Sequence, residues 1–131
     1  MSQENVEALR AVYAKWAAGD FWTPEIFDPE AEVVWAAAMP DTSVDRGLAA
    51  MGTAMRGFLA AWDECSWAAD RFLPADDRVV VLFTARGRGK GSSVDVVAHW
   101  AHVWTFDNGK ATRIEGFSDQ AAALAAVGLS E

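Results

Sequence analysis

The chain has a single cysteine in 131 residues, so no disulfide can close within it, and a reducing compartment such as the cytoplasm suits it. Basic residues are also few. Eleven Lys and Arg against nineteen Asp and Glu leave a formal charge of -8, which repels phosphate backbones and anionic lipid and so argues against nucleic acid and membrane as partners. No apolar run approaches the length that spans a bilayer, and Met1-Ser2-Gln3-Glu4-Asn5 has neither the basic nor the apolar region of an export signal. Internal repeats and domain-separating linkers are missing too, so one domain over 1–131 is expected. What is abundant is apolar: 52% hydrophobic residues, with seven Trp and seven Phe, call for a large aromatic core or an aromatic-lined pocket.

Val6, Leu9, Val12, Tyr13 and Trp16 recur at three- and four-residue intervals, predicting an amphipathic helix from Gln3 to Ala18 with Ser2 as cap and Gly19 as stop. Thr23-Pro24-Glu25 reads as the start of a short helix that Pro29 ends. Glu32 to Ala37 suits a strand, Met39 to Gly47 a loop, and Leu48, Met51, Met55, Leu59 and Trp62 form the stripe of a second long helix. Three runs follow, Ser66 to Leu73, Arg78 to Arg86 and Val94 to Phe106, and then Asn108-Gly109 signals a hairpin into a strand from Ala111 to Phe117. Ser118 or Asp119 can cap a last short helix ending at Gly128. Helices early and a strand meander late define an α+β fold: a curved, mostly antiparallel sheet covered on one face by helices. Its other face, with Val97, Ala101, Val103 and the Val79 to Phe83 strand, is expected to be open and to form a homodimer.

Four stretches then resemble one superfamily: Ala17-Ala18-Gly19-Asp20; Ile26-Phe27-Asp28-Pro29-Glu30-Ala31-Glu32-Val33; Asp45-Arg46-Gly47; and Ala101 to Lys110 running into Asp119. In order and spacing they look like the nuclear transport factor two-like superfamily, in its SnoaL-like branch. Ketosteroid isomerases, polyketide cyclases and limonene epoxide hydrolases also belong to that superfamily. The resemblance implies a cone-shaped domain whose sheet wraps a hydrophobic pocket closed by N-terminal helices, usually as a dimer. It does not carry over a known catalytic set. The isomerases' helical tyrosine falls on Val12, beside Tyr13, their base aspartate on Trp35 and their oxyanion-hole acid on His102. The epoxide hydrolases' arginine matches Arg78, but their two aspartates fall on Val80 and Gly116.

His102 shares a strand face with Ala98, Trp100, Trp104 and Phe106 and is expected to point into the pocket, where imidazole can exchange protons near neutral pH. The plainer reading is a core histidine bonded to backbone or to Tyr13. His99 and His102 point to opposite faces and cannot share a metal ion, so no metal is expected. Gly87-Arg88-Gly89-Lys90-Gly91 joins two strands and opens no helix, so it reads as a solvated hairpin, and no cofactor is expected. Cys65 reads as an inert thiol. Asp41 and Asp45 could supply a base or a donor at a pocket rim, or simply serve a solvated loop. Arg78 could meet a ligand carboxylate, or pair with Asp76 and Asp77.

These residues support two expectations. In the first, a small hydrophobic, ring-bearing molecule is held by Trp16, Trp35, Met55, Trp100 and Trp104. His102 shuttles a proton in isomerisation, cyclisation or hydration, and Tyr13 or an acid of the 41–45 loop serves the developing oxyanion. In the second, the chain is a non-catalytic dimeric binding or accessory domain.

Overall fold

The computed structural model describes residues 2–129 without the side chain of Ser2, so the cap expected of that side chain lies outside the described residues. Helix α1, Ser2–Ala17, buries Val6, Leu9, Val12, Tyr13 and Trp16 along one face. It stops at Gly19, where a φ of 87° is the left-handed conformation glycine adopts without penalty, and the Gly19 N–H reaches the Trp16 carbonyl at 3.1 Å.

The next segment departs from the sequence reading. Pro24–Ile26 is a single 3-10 turn, and strand β1, Phe27–Trp35, contains Pro29 instead of following it. The proline is tolerated because the pairing of β1 slips between Phe27 and Glu32, so its missing N–H costs no ladder bond. The expected 39–47 loop holds a short edge strand, β2, Ser43–Arg46, antiparallel to β1. It is mostly exposed and has no apolar alternation to betray it. Helix α2, Leu48–Leu59, ends before Trp62, which instead opens strand β3, Trp62–Ala75, opposite Gly89.

Strands β3, β4 (Arg78–Gly89), β5 (Asp95–Asp107) and β6 (Lys110–Phe117) form the meander. Asn108 and Gly109 turn β5 into β6 with φ of 51° and 79°, as a two-residue hairpin requires. The six-stranded sheet runs β2-β1-β6-β5-β4-β3, and β1 is parallel to β6, so the sheet is mixed. The class is α+β.

One face carries an aromatic core with α1 packed on it: Tyr13, Trp16, Trp67, Phe83 and Trp104 are all buried there. The opposite face is not open where the sequence suggested. Helix α3, Gln120–Ala126, is capped by Asp119, whose side chain accepts from the Ala121 N–H at 2.9 Å. The helix lays Ala123 and Leu124 over Val80, Leu82, Ala101 and Val103, so Ala101 and Val103 are fully buried within the chain. Of the residues expected to be exposed on that strand, Val97 remains half-exposed, beside Val94 and Val96.

Candidate active site in an aromatic cavity

Between the sheet and the helices lies a cavity of about 290 Å³. Trp16 from α1, Met51, Met55 and Phe58 from α2, Trp35 from β1 and Trp67, Phe83, Trp100 and His102 from the meander line it, and no charged side chain is among the lining residues. Trp22 is also in the wall and half-exposed, so the cavity meets solvent there. Two of the wall's indoles are held by their ring N–H. Trp16 Nε1 donates to Thr23 Oγ1 at 3.2 Å, and Trp35 Nε1 donates to Asp45 Oδ2 at 2.7 Å.

Strand alternation turns His102 inward. Its ring stacks on Phe83 with centroids 4.3 Å apart, and it is 6% exposed. Tyr13 Oη and His102 Nδ1 are 2.6 Å apart, and Trp104 Nε1 donates to the same Tyr13 oxygen at 2.9 Å. Tyr13 and Trp104 are sealed in the core. The Tyr13 hydroxyl proton therefore has one acceptor within reach, His102 Nδ1, and a sealed hydroxyl without an acceptor would carry a desolvation penalty. Nδ1 accepts, so in the neutral ring the proton resides on Nε2.

Burial pushes the His102 pKa down to about 3 from its ordinary 6.5, so the ring is neutral at pH 7. Burial also drives the Tyr13 hydroxyl well above 10, with the Trp104 bond opposing the shift to a smaller extent, so Tyr13 keeps its proton. Among the described residues, the side-chain polar atom both sealed and without a partner is Trp67 Nε1. His102 Nε2 has no partner among the described residues either, yet it is not sealed, so it opens on the cavity that the residue lines. Gly116 lies directly across from His102 on β6. A Cβ there would meet His102 Cδ2 at 3.9 Å and Val34 O at 3.7 Å, both ordinary contacts.

The remaining sequence candidates lie elsewhere. Trp104 was expected in the wall but is completely buried behind it, because β5 is covered at that point by α1 and Phe27. Tyr13 likewise stands behind the wall and reaches the cavity through His102. Asp45 approaches the site as the acceptor that fixes Trp35, and Asp41 sits exposed outside the cavity wall. Arg78 is away from the cavity: its Nη1 donates at 3.3 Å to the Ala126 carbonyl, at the open C-terminal end of α3. His99 faces the other side of the sheet, where its Nδ1 lies 3.3 Å from Thr84 Oγ1, which donates to Asp70. Cys65 is half-buried, and burial raises its thiol pKa.

The sequence reading overlooked Trp67, Gly116, Thr23 and Ser118 in the wall. Trp67 had a signal, since it alternates with Cys65 and Ala69 and all three pack on the aromatic core.

Helix-backed walls, a mixed curved sheet and this cavity can be set against known proteins. The sequence model of the SnoaL-like domain matches residues 6–114. The chain belongs to the SnoaL-like family. No curated protein matched. An NTF2-like protein of unknown function from Burkholderia pseudomallei superposes on this SnoaL-like chain with a TM-score of 0.77 at 22% identity, covering 95% of this chain and 98% of the other. TerC, co-crystallized with polyporic acid, gives a TM-score of 0.73 at 26% identity, with 91% and 94% covered. A Catenulispora acidiphila protein with a ketosteroid isomerase-like fold, in complex with trimethylamine, gives 0.72 at 17%, with 94% and 93% covered. The likeness at 22% and 17% identity concerns the fold.

Proposed function

We propose that this SnoaL-like chain is a single-domain, cytoplasmic homodimer whose cavity binds a small hydrophobic, ring-bearing molecule, with His102 as a polar contact in a mostly apolar wall that also includes Thr23 and Ser118. The observation that carries this is the cavity itself: about 290 Å³ of space walled by indole, phenyl and thioether side chains, with one imidazole opening on it. TerC, similar to this chain at 26% identity and co-crystallized with polyporic acid, supports a small-molecule ligand for the same fold.

Catalysis is the second reading, and the geometry narrows it. A general base works best with a pKa near the working pH, and burial moves His102 far below that. Among the described residues, no carboxylate lines the cavity to take a carbon-bound proton. If turnover occurs, His102 serves it as a neutral N–H donor to a developing oxyanion.

The test is intrinsic tryptophan fluorescence titrated with tetralin. A saturable response is expected in the native chain, with affinity at least about tenfold weaker in Gly116→Val, where added methyls enter the cavity. A response that never saturates, or one indifferent to Gly116→Val, overturns the proposal.

A further inference from the structure

The hydrogen bonds behind the cavity run one way: Trp104 N–H to the Tyr13 oxygen, Tyr13 O–H to His102 Nδ1, and His102 Nε2–H toward the cavity. Beside it, 5.3 Å away between ring centroids, is Trp67, whose Nε1–H is buried and unpartnered. The unsatisfied groups at this end of the site are thus both donors. We propose that Tyr13 is the specificity-determining positioning residue of the pocket: by holding His102 as the Nε2–H tautomer, it selects ligands that present an acceptor atom and rejects those that present an N–H. This rests on the proposed ligand-binding role of the same cavity.

The physical reason is proton bookkeeping. A ligand N–H can bond to His102 Nε2 only if the ring moves its proton to Nδ1. Nδ1–H would then face the Tyr13 oxygen, which already accepts from Trp104, and the Tyr13 hydroxyl proton would be left with no acceptor in a sealed site. Such an orphaned donor lowers affinity by about tenfold or more. An acceptor ligand makes no such demand. Burial keeps the ring neutral, so the tautomer, and not a charge, decides which ligand atom is welcome.

The experiment is calorimetric titration of the full chain and of Tyr13→Phe with indene, 1-indanone and indole. These probes share a bicyclic skeleton and carry no polar group, one acceptor and one N–H donor respectively. In the native chain 1-indanone is expected to bind about tenfold tighter than indene, and indole more weakly than indene. In Tyr13→Phe the ring is free to change tautomer, so indole is expected to gain at least about fivefold while indene shifts less than about twofold. A merely structural role for Tyr13 would weaken all the probes and strengthen none. Indole bound as tightly as 1-indanone by the native chain, or no gain for indole in the variant, overturns the proposal. Failure of all three probes to bind overturns the ligand-binding reading instead. Should Tyr13→Phe not fold, nitrogen NMR of His102 in the native chain decides: a proton on Nε2 supports the proposal, and a proton on Nδ1 refutes it.

Discussion

Lowering the pH from 7 to 4.5 tests the neutral, buried His102 directly. In the folded chain its pKa is about 3, while in the unfolded chain it returns to the ordinary 6.5. Between those values the unfolded state binds a proton that the folded state refuses. Stability from this group is therefore complete above 6.5 and falls as pH drops toward 3. The slope is about 1.4 kcal/mol per pH unit inside the window, and integrating from pH 7 to 4.5 gives a loss of roughly 2.5 kcal/mol. Carboxylates also titrate over this range, so the quantity to measure is a difference. His102→Gln removes the titration and keeps an amide oxygen that can accept from Tyr13. Urea denaturation of both proteins at the two pH values is expected to show the native chain losing about 2.5 kcal/mol more than the variant, whatever their relative stability at pH 7. Equal losses would mean that His102 protonates as easily folded as unfolded, and the sealed tyrosine bond and neutral ring would both be wrong.

Other consequences can be checked separately. Gly116→Asp places a carboxylate beside the His102 ring, so NMR titration is expected to show the histidine pKa rising from about 3 by more than one unit, with a loss of thermal stability from the buried charge. At Gly87 a Cβ would stand 2.7 Å from the Trp62 ring and 3.2 Å from the Glu64 carbonyl, so Gly87→Ala should cost about 1–3 kcal/mol in denaturant melts, where a neutral result would mean that Trp62 moves aside freely. Light scattering is expected to give twice the 14.2 kDa of the chain, and Val96→Asp with Val97→Asp to give a monomer, since these valines are about half-exposed.

The sequence revealed elements wherever one face repeats. The α1 stripe, the Asn108-Gly109 hairpin and the inward face of β5 follow from periodicity and turn chemistry. Pro29 misled because a proline inside a strand is admissible only at an irregularity in pairing, which no local pattern announces. Covering of Ala101 and Val103 by α3 escaped for a related reason: a short Ala-rich helix has no stripe distinct enough to say which surface it seeks. At the site, strand patterning for His102, Trp100 and Trp35 and helical spacing for Trp16 and Met55 pointed to side chains that line one space. The depth of each layer was not legible, so Trp104 and Tyr13 were expected at the wall although they stand behind it. The direction of the hydrogen bonds through Tyr13 requires three residues far apart in the chain to be seen together.

Parallel pairing of β1 with β6 bears on how the chain is made. Strands β3 to β6 close on one another through successive neighbours, but Phe27 finds its partner at Ala111, and Val33 and Val34 find theirs at Ile114 and Glu115. A chain leaving the ribosome presents its N-terminal end first. Strand β1 is thus complete long before anything exists for its inner edge to bond, and only the short β2 can cover its outer one. Closing so long a segment costs entropy that the local hairpins do not incur. Synthesis and assembly therefore run in opposite order: the last strand made is the one that lets the first strand fold.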